Sequence, residues 1–214
     1  MIKLKIFSFN PFQVNTYILY DETGECAIID PACYEPYEEK QLADFIEDNN
    51  LKPVLQLYTH CHIDHVLGTN FVSNKYNLKP LTHKDSAVFL ESAKVYGQSF
   101  GFEIEDLVKP DKWLDDNETI TFGNQQLKTI HTPGHAAGSL CFYNEENKFV
   151  ICGDVLFRES IGRTDLPTGD FDLLIRSIKE KLMVLPDDVI VYSGHGPEST
   201  IGYEKANNPF LNQG

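Results

Sequence analysis

The sequence predicts an α/β fold in a single large domain, and three observations carry that reading. Strands and helices interleave along the chain with strands leading. Four separate strand ends run into histidine or aspartate. No composition break, repeat or low-complexity run divides the 214 residues, a length that buries a substantial core. The expected domain is therefore the whole chain, 1–214.

Taken in order, Ile2 to Phe9, Val14 to Tyr20 and Cys26 to Ile29 are rich in β-branched and aromatic residues. Asn10, Pro11, Asp21 and Gly24 punctuate them as turn residues, which gives an antiparallel opening. From Pro36 a helix is expected, because Leu42, Phe45 and Ile46 share one face while Glu38, Glu39, Asp44 and Glu47 lie elsewhere. Val54 to Tyr58 reads as a strand, and Val66 to Tyr76 as a helix that turns Leu67 and Phe71 inward. A further helix is expected over Asp85 to Tyr96, ended by Gly97 in the left-handed conformation. Ser99 to Asn117 has no periodicity and reads as a loop, a candidate lid.

The second half continues with a strand from Gln126 to Ile130 and a hairpin of Leu140 to Tyr143 with Lys148 to Cys152. Behind the N-cap Asp170, the residues Phe171, Leu174, Ile175, Ile178 and Leu182 follow a helical period. Val189 to Tyr192 is the last buried strand.

The chemistry sits where strands end. Residues 59–65 read THCHIDH, which gathers His60, His62, Asp64 and His65 on a strand-to-helix loop, the usual place for a ligand in an α/β sheet. Imidazole and carboxylate are ligands for zinc, iron and manganese, and a cluster this dense points to a metal centre rather than a polar loop satisfying its own hydrogen bonds. Three further strand ends deliver His135 in HTPGH, Asp154 after Gly153, and His195 between Gly194 and Gly196. Each is flanked by glycine, which lets backbone and ligand approach closely. Five histidines and two aspartates suffice for two ions that share one bridging ligand.

Composition narrows the partners. With 32 acidic against 18 basic residues the net charge is −14, the wrong sign for tracking a phosphate backbone, so nucleic acid is not expected. Nowhere do about 18 consecutive apolar residues occur, so no membrane span is expected either. MIKLKIFSFNPF lacks the apolar run and cleavage site of a signal peptide, and a cytoplasmic protein is expected. Five cysteines without a CxxC pair (Cys26, Cys33, Cys61, Cys141, Cys152) suit reduced thiols. Of these, Cys26, Cys141 and Cys152 fall in apolar strands as small hydrophobes, and Cys61 alternates away from the ligands as filler. His83 and His131 belong to no ligand motif, and His131 is expected to hydrogen-bond in support of the site.

THCHIDH, TPGH at 132–135, the Gly153–Asp154 pair and GHG at 194–196 together resemble the metallo-β-lactamase superfamily, over Asn15 to about Pro197. The opening NTYILYDETGECAIIDP is similar to that superfamily's first hairpin. GRTDLPTGD, residues 162–170, is similar to its compact bacterial glyoxalase II-like hydrolases, which cleave thioesters such as S-lactoylglutathione.

The resemblance implies an αββα sandwich of two mixed sheets with outer helices. It implies that His60, His62 and His135 hold one divalent ion, that Asp64, His65 and His195 hold a second, most often zinc, with iron or manganese as alternatives, and that Asp154 bridges them. Asp30 would support the metal loop. The catalytic roles fall to Asp64, which would also orient the attacking water, and to the bridging Asp154.

The reaction implied is attack of metal-activated hydroxide on a small thioester. The runner-up is a mononuclear iron persulfide dioxygenase using His60, His135 and Asp154, and lactonase or β-lactamase activity is open to the same ligands. A metal-binding protein without catalysis is the third class. The longer glyoxalase II enzymes carry a helical glutathione-binding domain after the last ligand. Only 19 residues follow His195 here, so that domain is not expected, and Arg158, Arg163 or Tyr192 are candidates for a smaller pocket. The chain also departs from the family's common wording at Ala32 and in HAAGS.

Overall fold

The computed structural model describes residues 2–212. Met1, Gln213 and Gly214, the ends of the expected 1–214 domain, lie outside the described residues.

Two six-stranded sheets form the body. The first runs β1 (Lys3–Phe9), β2 (Val14–Tyr20), β3 (Glu25–Ile29), β4 (Lys52–Leu57), β5 (Pro80–His83) and β6 (Trp113–Leu114) in spatial order. Its opening β1–β2–β3 meander is antiparallel as expected, and β3 to β6 continue in parallel. The second sheet is built from β7 (Thr119–Phe122), β8 (Gln125–His131), β9 (Leu140–Asn144) and β10 (Phe149–Gly153), all antiparallel. After the short ribbon β11 (Leu156–Phe157) with β12 (Ser160–Ile161), strand β13 (Ile190–Ser193) adds in parallel to β10, and β14 (Ser199–Thr200) closes the edge.

Period-two alternation makes this a four-layer sandwich. Tyr17, Leu19, Ile29 and Leu57 of the first sheet meet Leu127, Leu140, Phe142 and Ile151 of the second in one cluster between the sheets. The alternate residues Ile18, Cys26 and Ile28 face outward to α1 (Pro36–Asp48) through Leu42 and Ile46. On the other side Cys141, Val150 and Cys152 meet Leu174, Ile178 and Leu182. The αββα expectation is met.

Several local expectations are corrected. The helix expected over Val66 to Tyr76 is split into α2 (Ile63–Val66) and α3 (Thr69–Tyr76). The break is at Gly68, where a Cβ would stand 2.5 Å from Cys33 Sγ and 2.8 Å from the Pro31 carbonyl; α3 buries Thr69, Val72 and Ser73, and Phe71 packs half-buried against the outer cluster as expected. Gly97 does not end its helix. It lies inside α4 (Ala87–Gln98), packed by Ile63 and Ile104, and the left-handed residue is Gly101. The periodic helix after Asp170 is α5 (Phe171–Ser177), continued by a π-turn over Ile178–Leu182, and Phe171 is exposed. Asp170 caps it as expected, accepting from the Leu173 N–H at 2.9 Å. Strands β5, β7 and β14 and the terminal α6 (Ile201–Asn207) were not anticipated, being too short to show a period.

Candidate metal centre

All seven residues singled out in the sequence meet in one cleft where the ends of β4, β8, β10 and β13 converge. His60 and His62 leave β4, while Asp64 and His65 ride on the one-turn helix α2 that follows. His135 arrives from the turn after β8, Asp154 directly after β10, and His195 after β13. One ligand atom from each of His60, His62 and His135 lies within 4.8 Å of the others, and the same holds for Asp64, His65 and His195. Asp154 lies between the groups, its carboxylate 3.4 Å from His65 Nε2, 3.5 Å from His195 Nε2 and 3.7 Å from His135 Nε2. His60 and His135 face each other Nε2 to Nε2 at 3.2 Å.

The far nitrogens are held by the fold. His65 Nδ1 lies 3.0 Å from Asp30 Oδ2, His135 Nδ1 donates to the Arg163 carbonyl at 2.8 Å, and His195 Nδ1 donates to the Phe12 carbonyl at 2.9 Å. Such contacts fix the tautomer and turn each Nε2 lone pair into the cleft. The Asp30 carboxylate also accepts from the Thr59 N–H at 2.7 Å and its hydroxyl at 2.5 Å, which pins the start of the histidine loop.

The two groups differ electrostatically. Burial, reinforced by neighbouring histidines, holds His60 well below the usual imidazole range and His62 down to about 3. Burial also lowers His135, overriding the pull of Asp154, so all three rings stay neutral with lone pairs free. For His65, burial opposes charge, but Asp64, Asp154 and Asp30 prevail and raise it well above its ordinary value. His195 is pushed up to about 9, since the Asp154 and Asp64 carboxylates, 3.5 and 3.4 Å from its Nε2, outweigh burial. Both aspartates are correspondingly lowered against burial, by His65 above all. A cation entering this second group competes with ring protons for the same carboxylates.

Whether these residues fit metal ions can be tested on the buried polar atoms. His62 Nε2, His65 Nε2 and Asp154 Oδ1 are buried without a hydrogen-bond partner. Groups of that kind cost on the order of 1–3 kcal/mol each if left so. Gly194 keeps the approach open, since a Cβ there would stand 2.1 Å from Asp154 Oδ1. The donor set and its orphaned atoms fit divalent ions.

Around the ligands the cleft measures about 220 Å³ and is walled by Phe12, Ile63, Tyr96, Phe100, Arg163 and Leu166. A larger cleft of about 510 Å³ beside Thr119, Lys128 and Tyr143 brings no such chemistry together. Two of the residues suggested for a substrate pocket are elsewhere. Tyr192 packs between the sheets against Tyr17 and Phe149, and Arg158 lies 4.9 Å over the Tyr203 ring. Arg163 does reach the cleft, with its guanidinium engaged by Asp165 at 2.6 and 2.7 Å.

Cys61 is buried with its sulfur toward Thr82, as filler, and all five cysteines are free. Burial raises the Cys26 and Cys141 thiols to about 12. His131 does not support a ligand side chain. Its Nε2 donates to the Ala137 carbonyl at 2.7 Å, and its ring stacks on His83.

The sequence reading missed Asn10 and Asn15. Asn10 Nδ2 donates to the Asp64 and Ala32 carbonyls, and Asn15 Nδ2 to the Ser193 and Gly196 carbonyls. The only hint was asparagine in and beside a tight turn, where Asn10 takes a positive φ of 54°.

No helix among the described residues is long and apolar enough to cross a membrane. The profile of the Metallo-beta-lactamase superfamily matches residues 9–195. The chain is 37% identical over 213 residues to the hydroxyacylglutathione hydrolase GloC of Haemophilus influenzae, covering 99% of each protein. It is 37% identical over 203 residues to the probable metallo-hydrolase YqgX of Bacillus subtilis, covering 94% of each. Among solved structures it is similar to TTHA1623 in a di-iron-bound form, with a TM-score of 0.86, 35% identity, and coverage of 97% of this chain and 100% of that one. Sequence, fold and the convergence of histidines and aspartates agree: the chain belongs to the metallo-beta-lactamase superfamily, as a metallo-hydrolase of its glyoxalase II-like group.

Proposed function

We infer that the protein hydrolyses a small thioester, of the class of S-lactoylglutathione, at a binuclear centre. His60, His62 and His135 would hold one ion, Asp64, His65 and His195 the other, and Asp154 both. The observation that carries this reading is the orphaned trio of His62 Nε2, His65 Nε2 and Asp154 Oδ1, which belongs to both ligand groups at once. Two divalent ions, zinc or iron, would lower the pKa of a shared water towards neutrality and polarise a carbonyl.

The chain's own residues do the rest. Asp64 lines the cleft with its carboxylate 3.4 Å from His195 Nε2, where it would orient an attacking water as well as hold an ion. Phe12, Ile63, Tyr96 and Phe100 keep bulk water from the cleft mouth and seat the apolar part of an acyl group. A thiolate leaving group needs little protonation. That agrees with the cleft lining, where among the described residues Arg163 is the one arginine or lysine and is already ion-paired.

The GloC relative supports the thioester class, and a cytoplasmic location fits the free cysteines. The test is to measure zinc, iron and manganese per chain and to assay S-lactoylglutathione hydrolysis beside oxygen uptake with glutathione persulfide. Two ions with thioester cleavage is the expected result. One iron with oxygen uptake would replace this reading by persulfide oxidation.

A further inference from the structure

Three aromatic side chains at the mouth of the metal cleft stand outside the core. Phe12 is in the β1–β2 turn, Tyr96 on α4 and Phe100 just beyond its end, and all three line the cleft together with the ligand residues. They are 40%, 37% and 46% exposed, large apolar surface left to solvent. Phe102, two residues further on, is 4% exposed and fastens the segment, with its ring 4.9 Å from Tyr34 and 5.9 Å from Phe12 between centroids.

The three rings are nonetheless ordered. Phe100 meets Phe12 edge to face at 5.7 Å and 75°, and Tyr96 at 5.2 Å and 70°. A herringbone of this kind accommodates one further ring by the same contact. The backbone beneath is fixed from both sides. In the β1–β2 turn Asn10 Oδ1 accepts from the Phe12 N–H at 2.9 Å while Asn10 Nδ2 donates to the Asp64 carbonyl at 2.9 Å, and the Phe12 carbonyl accepts from His195 Nδ1. At the end of α4 the Phe100 and Phe102 N–H groups donate to the Gly97 carbonyl at 2.9 and 3.0 Å. The rings are thus tied to the backbone of two proposed ligands, and little ordering cost remains for binding.

Size and charge say what fits. A cleft of about 220 Å³ is smaller than one that encloses a drug-sized ligand, so it takes one compact substituent. Arg163 is the one arginine or lysine in the lining and is held by Asp165, so a carboxylate-bearing substituent meets no free cation there. Resting on the thioester reading above, we propose that Phe12, Tyr96 and Phe100 form an aryl subsite, and that the preferred thioesters carry an aromatic acyl group. In hydrolysis water adds to the acyl carbon, the C–S bond breaks, and carboxylate, thiol and a proton are released. The acyl group is the half that stays beside the ligand atoms to the end, and the subsite is assigned to it for that reason.

The test titrates metal-replete protein with acetate and with phenylacetate by calorimetry, in wild type, Phe100→Ala and Phe100→Leu. Phenylacetate should bind wild type about tenfold or more tighter than acetate, and Phe100→Ala should reduce that ratio to about threefold or less. Both variants keep every proposed ligand, and ions per chain equal to wild type check the fold. Wild-type discrimination in Phe100→Leu would overturn the aryl assignment in favour of plain apolar packing. The acetyl and phenylacetyl thioesters of N-acetylcysteamine are then assayed beside S-lactoylglutathione. Cleavage of all three at equal kcat/KM, or equal affinity for the two carboxylates, would overturn the aryl subsite and leave the thioester reading. Cleavage of none, with phenylacetate still preferred, would overturn the thioester reading and leave the subsite.

Discussion

Asp21 and Asp154 stand in similar places. Each directly follows a strand, β2 or β10, each is largely removed from solvent, and each has a glycine packed against its carboxylate. A Cβ on Gly123 would stand 2.6 Å from Asp21 Oδ1, as one on Gly194 would crowd Asp154. Their partners differ. Asp21 accepts from the Thr23 N–H and hydroxyl on one oxygen and from the Asn124 N–H and the Gln125 amide on the other, so donors surround it. Asp154 is ringed by imidazole nitrogens beyond normal hydrogen-bond length, and its Oδ1 has no partner. A strand-end aspartate beside a glycine is thus a structural clamp when its neighbours are donors. It becomes a candidate cation site when they are imidazoles that can ligate a metal and one of its oxygens is left without a hydrogen bond.

Substitutions at the two positions should separate those roles. The largest effect is expected at Asp154→Ala, which removes the ligand common to both groups. Hydrolysis should fall by about 10³-fold or more, on the order of 4 kcal/mol in the barrier, with loss of at least one ion per chain by elemental analysis. Full activity in a metal-replete Asp154→Ala enzyme would end the binuclear assignment.

Next comes Asp30→Asn, which leaves every proposed ligand in place but loosens His65 and Thr59. Metal affinity should drop by about 10- to 100-fold, readable by chelator competition. An affinity within twofold of wild type would mean that Asp30 serves only the turn.

Asp21→Asn should leave hydrolysis per bound metal unchanged and cost about 1–2 kcal/mol of stability at neutral pH in denaturant titrations. Burial opposes its charge, but Thr23 and Asn124 lower the Asp21 pKa from 3.8 to about 2, so its contribution is full above the unfolded value. That contribution disappears as pH falls through about 2, and the variant's deficit should close over that window. A deficit that persists at low pH would show that neutral packing, not the carboxylate, holds the turn.

The smallest effect belongs to Arg163→Ala. The Arg163 carbonyl holds His135, but the guanidinium is exposed and paired with Asp165. Steady-state hydrolysis should change by no more than about threefold. A larger rise in KM alone would assign this side chain to the substrate.

How much could be read from the sequence follows the same division. The seven residues of the centre were legible because histidine and aspartate recur at strand ends, and the long strands and α1 because their apolar periods are uninterrupted. Strands of two to four residues such as β6, β7 and β14 carry no period, and their pairing is set by sheets already formed. Asn10 and Asn15 act on backbone carbonyls of segments distant in sequence, which leaves no pattern near them. Tyr192 was misplaced because nearness to His195 along a strand does not fix which face a side chain takes, and its alternate position points between the sheets.

The bonds from Asn15 to Ser193 and Gly196, with that from the Tyr17 hydroxyl to Ser193 at 2.6 Å, join positions 176 to 181 residues apart. Contacts of such separation are entropically slow to form. During synthesis, THCHIDH emerges with most of the chain still unmade, so a nascent protein displays part of a chelating set well before it can close one. Under the proposed assignment His195 is the last ligand to arrive, so filling of its group would follow the meeting of the two ends of the polypeptide.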